Sequence, residues 1–482
     1  MYQPNLQTIT KKLPETTNNK TPGKNVSKLT NYNNPIYKSA QSLIKHFFIA
    51  AIAAFTIFVA GCEDPGNLGS GFLDDDANLE TRTISPGTLE TYVGNSYTGR
   101  LRHMAIGRYD DPLFGEFTSA ALIKPSILTA EIGTSISPDD TFKLRFVFSS
   151  VVYGDSLSTA NFDIYRATEV WRGNEIRFNN QISYDESLKV GEFSVEGTET
   201  VEVELDQSWV EEYNEYLSFE GDDRNTRYRD TFPGLVIVPA EDNEKVLFAR
   251  VRPAADEDDS NLNFVRFVLE RADEPDDNGD NGDNGDDGED GEDGEDENDN
   301  DNGEDDEDPR SFQTVLDWSA LQSRSAPNEQ PDGIIMHNTL DQIISLDPEL
   351  SAERLGSKNL ANVQLILYQD QDQLEASLPE HHSRPEISFA RIHLIDTQNV
   401  SDYIFSNSPN LISELDTDDY TYRFDLTTYA NSVIFSSPGS GKFYITVESI
   451  NGLIFSTLLF DENAPEDTRP KINITSVKSG NE

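Results

Sequence analysis

The stretch FKLRFVFSSVVYGDS, residues 142–156, opens with strictly alternating apolar and polar side chains and ends in Gly, Asp and Ser. A period of two residues, with this share of Phe and Val, is typical of a β-strand that is buried on one face. Further stretches of the same kind follow in the first half of the chain: ANFDIYRAT (160–168), TVEVELDQSWVEEYNEY (200–216), GLVIVPA (234–240), KVLFARV (245–251) and LNFVRFVLE (262–270).

A similar series occupies the second half: NVQLILYQDQ (362–371), ISFARIHLID (387–396), YTYRFDLTTYANSVI (420–434), GKFYITVES (441–449), GLIFSTLLF (452–460) and PKINITSV (470–477). In each half, two early strands precede a strand that leads into a short helical turn, and three closely spaced strands end the series. Many short antiparallel strands per unit are typical of sandwiches. The sequence therefore predicts an all-β chain of two antiparallel β-sandwich domains with jelly-roll-like topology, at residues 80–272 and 310–482.

An acidic segment separates the two series. Residues 273–308 contain 22 Asp and Glu and no Lys or Arg, with a glycine at every third position from Gly279 to Gly294. A collagen helix is excluded because no proline stiffens the triplets and the like charges repel. An EF-hand calcium loop is excluded because the best frame, starting at Asn298, puts Pro309 where the closing glutamate belongs. We expect residues 273–309 to be a disordered linker, with loose calcium condensation left open.

Charge excludes one class of partner. The chain has 88 acidic residues against 37 Lys plus Arg, a net charge of −51. Residues 1–61 carry seven Lys and one Glu, so the remainder is more acidic still. Nucleic acids and anionic lipid surfaces are bound by clustered Lys and Arg, so we expect neither as a partner. The acidity fits cation binding or solubility in salty surroundings.

The N-terminal region contains a pattern that predicts where in the cell the protein is located. Residues 47–61 form an apolar run of 15 residues, which is short for a membrane-spanning helix and suits the core of a signal peptide. The run ends in Val59-Ala60-Gly61-Cys62, which resembles a bacterial lipobox and contains the only cysteine of the chain. We expect residues 1–61 to be a lipoprotein signal peptide with an unusually long polar lead. Diacylglycerol on Cys62 then anchors the mature chain to the outer membrane. The alternative is a signal anchor with a cytoplasmic arm of 45 residues.

The mature chain begins CEDPGNLGSGFLDDDANLE, and we expect residues 62–80 to be a flexible tether. Acidic residues directly after the lipidated cysteine resemble the surface-export signals of Bacteroidota lipoproteins. This resemblance implies a position on the cell surface.

Two further stretches carry family resemblances. The segment AIGRYDDPLFGEFTSAALIKPSI (105–127) is similar to the G-x-Y-x-D-P-x-F-G landmark of an uncharacterised Bacteroidota outer-membrane lipoprotein family, domain of unknown function four-two-seven-zero. The segment FDIYRATEVWRGNEIRFNNQISY (162–184), with Trp171 before Asn179-Asn180, resembles the DNRLRE β-sandwich domains of bacterial cell-surface proteins. It departs from them in having Arg172-Gly173 at the turn after the tryptophan. Both resemblances imply a surface lipoprotein of β-sandwich fold, and neither implies an activity.

Candidate site residues are few. The neighbours Asp110 and Asp111 precede Pro112 in a predicted turn and could coordinate calcium, although the turn alone explains them. Trp171 could stack on a sugar ring, as could Trp209 and Trp318, although aromatic residues of β-domains more often lie in the core. No other cofactor is indicated.

Catalytic residues do not stand out. His381-His382, with His393, is a poor metal site because neighbours on a strand point to opposite faces. The motifs G-x-S-x-G and H-E-x-x-H and a phosphate-binding loop do not occur in the sequence. We therefore expect a non-catalytic binding or structural lipoprotein. A protein that binds a polysaccharide or an adhesion ligand is the alternative, followed by a glycan hydrolase that uses paired carboxylates.

Overall fold

The computed structural model describes residues 78–128, 132–219, 221, 223–253, 263–272, 310–348, 350–356, 359–435 and 441–478. The predicted signal peptide with its lipobox residues Val59, Ala60 and Gly61, the lipidation site Cys62, and the acidic linker lie outside these residues. Nearly all of the predicted tether does too.

The described chain is built mainly from antiparallel strands, which confirms the predicted all-β fold class. The first half contains β1 (Asn78–Ile84), β2 (Leu89–Tyr92), β3 (His103–Asp111), β4 (Gly115–Pro125), β5 (Thr141–Phe146), β6 (Phe148–Asp155), β7 (Ala160–Ala167), β8 (Tyr184–Val195), β9 (Val201–Glu204), β10 (Leu235–Pro239), β11 (Lys245–Arg250) and β12 (Arg266–Glu270).

The second half contains β13 (Arg310–Gln313), β14 (Val315–Arg324), β15 (Ile334–His337), β16 (Ile343–Leu346), β17 (Leu360–Tyr368), β18 (His382–Ser383), β19 (Phe389–Ile395), β20 (Leu411–Asp416), β21 (Thr421–Asp425), β22 (Lys442–Val447), β23 (Ser456–Leu459) and β24 (Lys471–Lys478). The helices are α1 (Gln207–Ser218), α2 (Arg224–Thr231), α3 (Ala352–Leu355), α4 (Gln371–Ala376), α5 (Val400–Ser406) and α6 (Thr427–Phe435), with a 3-10 turn at Gly173–Glu175. Within the described ranges, no helix is both long enough and apolar enough to cross a membrane.

The alternation of apolar and polar residues along the strands explains the hydrophobic core that β5 and α1 share. In β5, Phe142, Leu144 and Phe146 are buried, while the alternate residues Lys143 and Arg145 face outward. The predicted helical turn after β9 is α1, which starts where the Asp206 side chain accepts a hydrogen bond from the Ser208 amide. Its buried side chains recur at the spacing of one helix face, so α1 covers the same core.

Two sheets enclose this core. A nine-stranded sheet has the order β18-β6-β11-β3-β4-β10-β7-β8, with β14 also paired to β4, and a four-stranded sheet has the order β13-β12-β5-β9. Together with α1 and α2 they form a sandwich that we call lobe 1. A second nine-stranded sheet, β1-β24-β17-β21-β20-β19-β22-β16-β2, curls so that strands from both of its ends contribute to one core. With the pair β15-β23 it forms lobe 2.

The strand pairings of the two halves repeat with a shift of twelve strands. The order β13-β12-β5-β9 of lobe 1 corresponds to β1-β24-β17-β21 of lobe 2. In the same way β14-β4-β10-β7-β8 corresponds to β2-β16-β22-β19-β20, and β3-β11 corresponds to β15-β23. The similar order of the two sequence series therefore reflects one strand topology used twice.

The strand pairings also show that the two halves of the chain exchange strands with each other. Strands β1 and β2 precede lobe 1 in the chain but pair with β24 and β16 of lobe 2. Strands β13 and β14 precede lobe 2 but pair with β12 and β4 of lobe 1. The sheets thus do not divide at the acidic linker. The predicted range 80–272 contains β2 and most of β1, which pair in lobe 2, and the range 310–482 contains β13, β14 and β18, which pair in lobe 1. Side chains follow the exchange, since Trp318 and Ala320 of β14 lie in the core of lobe 1.

The exchange predicts that the two halves stay together without a covalent connection. A tobacco etch virus protease site inserted within residues 273–309 would allow the chain to be cut between β12 and β13. We expect the two pieces to co-elute in size-exclusion chromatography at nanomolar concentration and to separate only in denaturant. The first piece holds β1 and β2, which pair with strands of lobe 2, and the second holds β13, β14 and β18, which pair with strands of lobe 1. Separation of the pieces by dilution alone would contradict the exchange.

Candidate functional site

The structure places Asp110 and Asp111 on opposite sides of β3. Asp110 is exposed, whereas Asp111 is 1% exposed, as expected for neighbours on a strand. Both carboxylate oxygens of Asp111 accept hydrogen bonds from Arg384, each at 2.7 Å, and Oδ2 also accepts one from the Tyr153 hydroxyl at 3.1 Å. The two aspartates are therefore not brought together as a pair of ligands. Among the described residues, no group of three or more His, Cys, Asp or Glu is placed to hold a metal ion.

The turn after Asp111 explains the landmark residues of the lipoprotein resemblance. Asp111 Oδ1 accepts hydrogen bonds from the backbone amides of Leu113 and Phe114, at 2.8 and 3.1 Å. Phe114 is fully buried, and the Arg384 guanidinium lies 5.0 Å from its ring centre. Gly115 has φ +78°, and a Cβ there would lie 2.2 Å from the Ser325 carbonyl oxygen, so only glycine fits. This turn fastens lobe 1 to Arg384 of lobe 2.

The histidines are dispersed. His381 is exposed in a turn, His382 pairs with Asp155 in the short strand β18, and His393 lies apart on β19. His337 is buried, with Nδ1 2.8 Å from the Ser456 hydroxyl. Burial, assisted by the nearby Arg324 cation, lowers the pKa of His337 to about 3, so this imidazole is neutral at physiological pH.

All three tryptophans are buried. Trp209 and Trp318 pack in the core of lobe 1, with 2% and 4% of their surface exposed. Trp171 is 3% exposed and packs against Leu122 and Val236 on the opposite face of the large sheet. It nevertheless borders a cavity of about 370 Å³, which we call the Trp171 pocket. In this pocket Trp171 forms part of the wall and does not offer an exposed stacking surface.

The Trp171 pocket concentrates positive charge on a strongly acidic chain. Four cationic side chains and two carboxylates line it: Arg100, Lys124, Arg172, Arg229, Asp230 and Asp317. Arg100 Nε donates to Asp317 at 2.9 Å, and Arg172 Nη2 donates to Asp230 at 2.8 Å. Arg229 is exposed at the rim and forms no hydrogen bond or ion pair with any described residue. The lining therefore has two more cations than anions when Lys124 is charged.

Lys124 is the unusual member of this set because it is only 2% exposed. Its ammonium donates to the Trp171 carbonyl oxygen at 2.8 Å and lies 4.6 Å from the centre of the indole ring. Burial lowers the pKa of Lys124 to about 8, although the Asp317 carboxylate opposes this shift. A negative charge in the pocket would favour the protonated lysine.

The turn of the DNRLRE resemblance shapes this pocket. Gly173 stands directly after Arg172, and its amide donates to Asp317 Oδ2 at 3.1 Å. A Cβ at Gly173 would lie 2.4 Å from the Trp318 carbonyl oxygen. The same Cβ would lie 2.5 Å from Asp317 Oδ1, so a larger residue at position 173 would displace the Asp317 carboxylate of the pocket. Sequence reasoning found Trp171 but missed Arg100, Lys124 and Arg229, which come from distant segments and carry no local motif.

Comparisons with known proteins identify no family. No protein-family model and no curated protein matches the chain. Among solved structures, the chain is similar to a recombinant peptide:N-glycanase F at 10% identity, over 78% of this chain and 94% of that chain, with a TM-score of 0.12. A likeness of this size carries no argument about function.

The buried pair Asp111–Arg384 predicts a large, coupled effect on stability. Asp111→Ala would leave a buried guanidinium and two backbone amides without their acceptor, and we expect it to lower the free energy of unfolding by about 3–5 kcal/mol. The double variant Asp111→Asn with Arg384→Met should cost clearly less than the sum of its two single variants. Urea unfolding measures both effects.

The matched control is the exposed pair Arg172–Asp230, whose side chains are 52% and 49% exposed. We expect Arg172→Ala to change the free energy of unfolding by less than about 1 kcal/mol. Equal effects of Asp111→Ala and Arg172→Ala would contradict a structural role for the buried pair.

Proposed function

We propose that this chain is a lipid-anchored, surface-facing outer-membrane lipoprotein that binds an acidic glycan without catalysing a reaction. The observation that carries the proposal is the Trp171 pocket, where four cations meet on a chain of net charge −51. Arginine guanidinium groups match the geometry of carboxylate and sulfate oxygens, and such hydrogen bonds are stronger than those between neutral groups.

The charge of the pocket and the charge of the whole chain together determine which kind of anion we expect to bind. Long-range repulsion from the acidic chain opposes dense polyanions, whereas a local excess of two positive charges can hold one or two acidic groups. A glycan in which acidic sugars alternate with neutral ones meets both conditions. The pocket also offers hydrogen-bonding groups for sugar hydroxyls from Asn174 and Thr226.

The predicted anchor supports a ligand outside the cell. The lipobox-like residues 59–62 place the lipid 16 residues before Asn78, where β1 begins. A tether of that length lets the first described strand stand clear of a membrane surface. If the experiments below fail, three functions remain in place of acidic-glycan binding: a structural role, binding of an adhesion ligand, or glycan hydrolysis.

Titration with glucuronate tests the pocket, with glucose as the neutral analogue and heparin as the dense polyanion. We expect glucuronate to bind, glucose not to bind, and heparin to bind more weakly per acidic group. Lys124→Met or Arg229→Gln should weaken glucuronate binding about tenfold or more. Arg469→Met, which removes an exposed arginine elsewhere, should leave binding unchanged. Glucuronate that is released as a hydrolysis product from a glycan substrate would instead favour the enzyme alternative.

The same titration has a predicted pH dependence. Lys124 is charged below its pKa of about 8 and neutral above it, so glucuronate affinity should fall as pH rises from 7 to 9. Lys124→Met should bind weakly at every pH and show no such fall. An affinity that is constant across this range in the unmodified protein would exclude Lys124 from ligand binding.

Metabolic palmitate labelling tests the anchor. We expect the unmodified chain to incorporate palmitate and Cys62→Ala to incorporate none, because the thiol is the acceptor of the lipid. Protease shaving of intact cells should remove the labelled protein if it faces outward. Equal labelling of the two proteins would refute the lipoprotein proposal, and labelling without shaving would place the protein on the periplasmic side.

A further inference from the structure

A second cavity lies in lobe 2, on the face of the curled sheet that points away from the core. Its volume is about 440 Å³. Strands β19 and β22 form its floor, and α5 with the residues that follow it forms one wall. We call it the Arg391 pocket. It shares no lining residue with the Trp171 pocket.

Three polar side chains line its floor. Arg391 and His393 are two residues apart on β19 and therefore face the same side of the sheet. Thr446 of β22 stands directly opposite Arg391 in the antiparallel register. The core residues Ala390 and Ile392 alternate with the two polar residues and point the other way.

Two of these side chains, Arg391 and His393, lack the partners that buried polar groups normally have. Within the described part of the chain, Arg391 forms no hydrogen bond and no ion pair, and its Nε is buried. His393 is 3% exposed, and its Nδ1 is buried without a partner among the described residues. Most buried polar side chains in folded proteins are hydrogen-bonded, because leaving them unpaired is costly.

The nearest carboxylate of the lining is already engaged. Glu448 Oε1 accepts hydrogen bonds from the backbone amides of Ser388 and Phe389, at 2.6 and 3.0 Å. Glu448 stands at φ +48°, a conformation that an L-residue adopts at some cost. The position of Glu448, directly after β22, is thus fixed by backbone amides at the start of β19. Among the described residues, Glu448 and Arg391 form no ion pair.

We propose that the Arg391 pocket binds a small organic monocarboxylate with an apolar body. The guanidinium of Arg391 would hold the carboxylate, with His393 and Thr446 as neutral hydrogen-bonding groups beside it. The walls supply apolar contact through Leu340, Ile404, Phe405 and Ile450. This combination of one cation with apolar walls differs from the Trp171 pocket, which is polar and has several cations.

One negative charge fits the site better than two. Burial, together with the Arg391 cation, lowers the pKa of His393 to about 4, so the imidazole is neutral near pH 7. The floor therefore presents one positive charge, and the Glu448 carboxylate of the same lining repels a second negative charge on a ligand.

The wall of the pocket is held in place by Arg177 and by the segment between β2 and β3. Arg177 Nη2 donates to Asp402 of α5 at 2.6 Å, and the Asn95 amide donates to the Ser401 hydroxyl at 2.9 Å. The ring of Phe405 lies 4.8 Å, centre to centre, from the ring of Tyr97. Because the wall is already fixed before binding, less conformational entropy is lost when a ligand binds.

Ligand-observed NMR and calorimetry with the full chain test the proposal. The probes are benzoate and hexanoate, with benzamide and hexanamide as uncharged analogues. We expect both carboxylates to bind with a Kd of about 10 mM or tighter and the amides to bind at least about tenfold more weakly. Arg391→Met should weaken benzoate binding about tenfold or more, and Arg391→Lys should weaken it less. His393→Phe, which preserves the ring volume, should weaken it about threefold.

Controls separate this site from the first. Arg469→Met removes the same charge from an exposed position of lobe 2 and should leave benzoate binding unchanged. Lys124→Met should also leave it unchanged, so failure of the acidic-glycan proposal would not affect this result. If Arg391→Met does not fold, Arg391→Lys and His393→Phe still report on the pocket. Equal binding of benzoate and benzamide, absence of benzoate binding, or unaltered binding in the Arg391 and His393 variants would overturn the proposal.

Discussion

The reciprocal exchange of strands is the constraint on which the rest of this structure depends. Lobe 2 contains β1 and β2 from the first half of the chain, and lobe 1 contains β13, β14 and β18 from the second half. The exchanged strands cover edges of β24, β16, β12 and β4 that would otherwise carry unpaired backbone groups. The acidic segment between β12 and β13 thus separates two series of strands in sequence without separating two folded bodies in space.

The same constraint explains why charge is buried between the lobes. A turn that carries Asp111 on lobe 1 meets Arg384 of lobe 2, and the two form a bidentate pair that is almost fully shielded from water. Arg324, at the end of the exchanged strand β14, pairs with Asp341 of lobe 2 at 2.9 Å. Buried ion pairs contribute little net stability but penalise wrong arrangements strongly.

Both candidate pockets hold positive charge on a chain that is strongly acidic elsewhere. Most carboxylates of the described residues lie at the surface, where they interact weakly and are screened. In the Trp171 pocket, by contrast, Lys124 is shielded from solvent by Trp171. In the Arg391 pocket the single guanidinium has no counter-ion among the described residues. Positive charge at these two places is therefore local in origin, and a net charge computed over the sequence conceals it.

Local sequence determined the strands, because alternation and turn residues act over a few neighbouring positions. The stretches at 142–156 and 420–434 contain β5, β6, β21 and α6, and the turn at Pro112 formed. Only the tertiary structure decided which strands pair. Strands pair through backbone hydrogen bonds that are the same for every sequence, so β4 could pair equally well with β14 or with another strand of similar length. It also decided the partners of single side chains. Asp111 pairs with Arg384, 273 residues away, whereas the Arg391 side chain has no partner among the described residues. Neither fact has a short-range signature in the sequence.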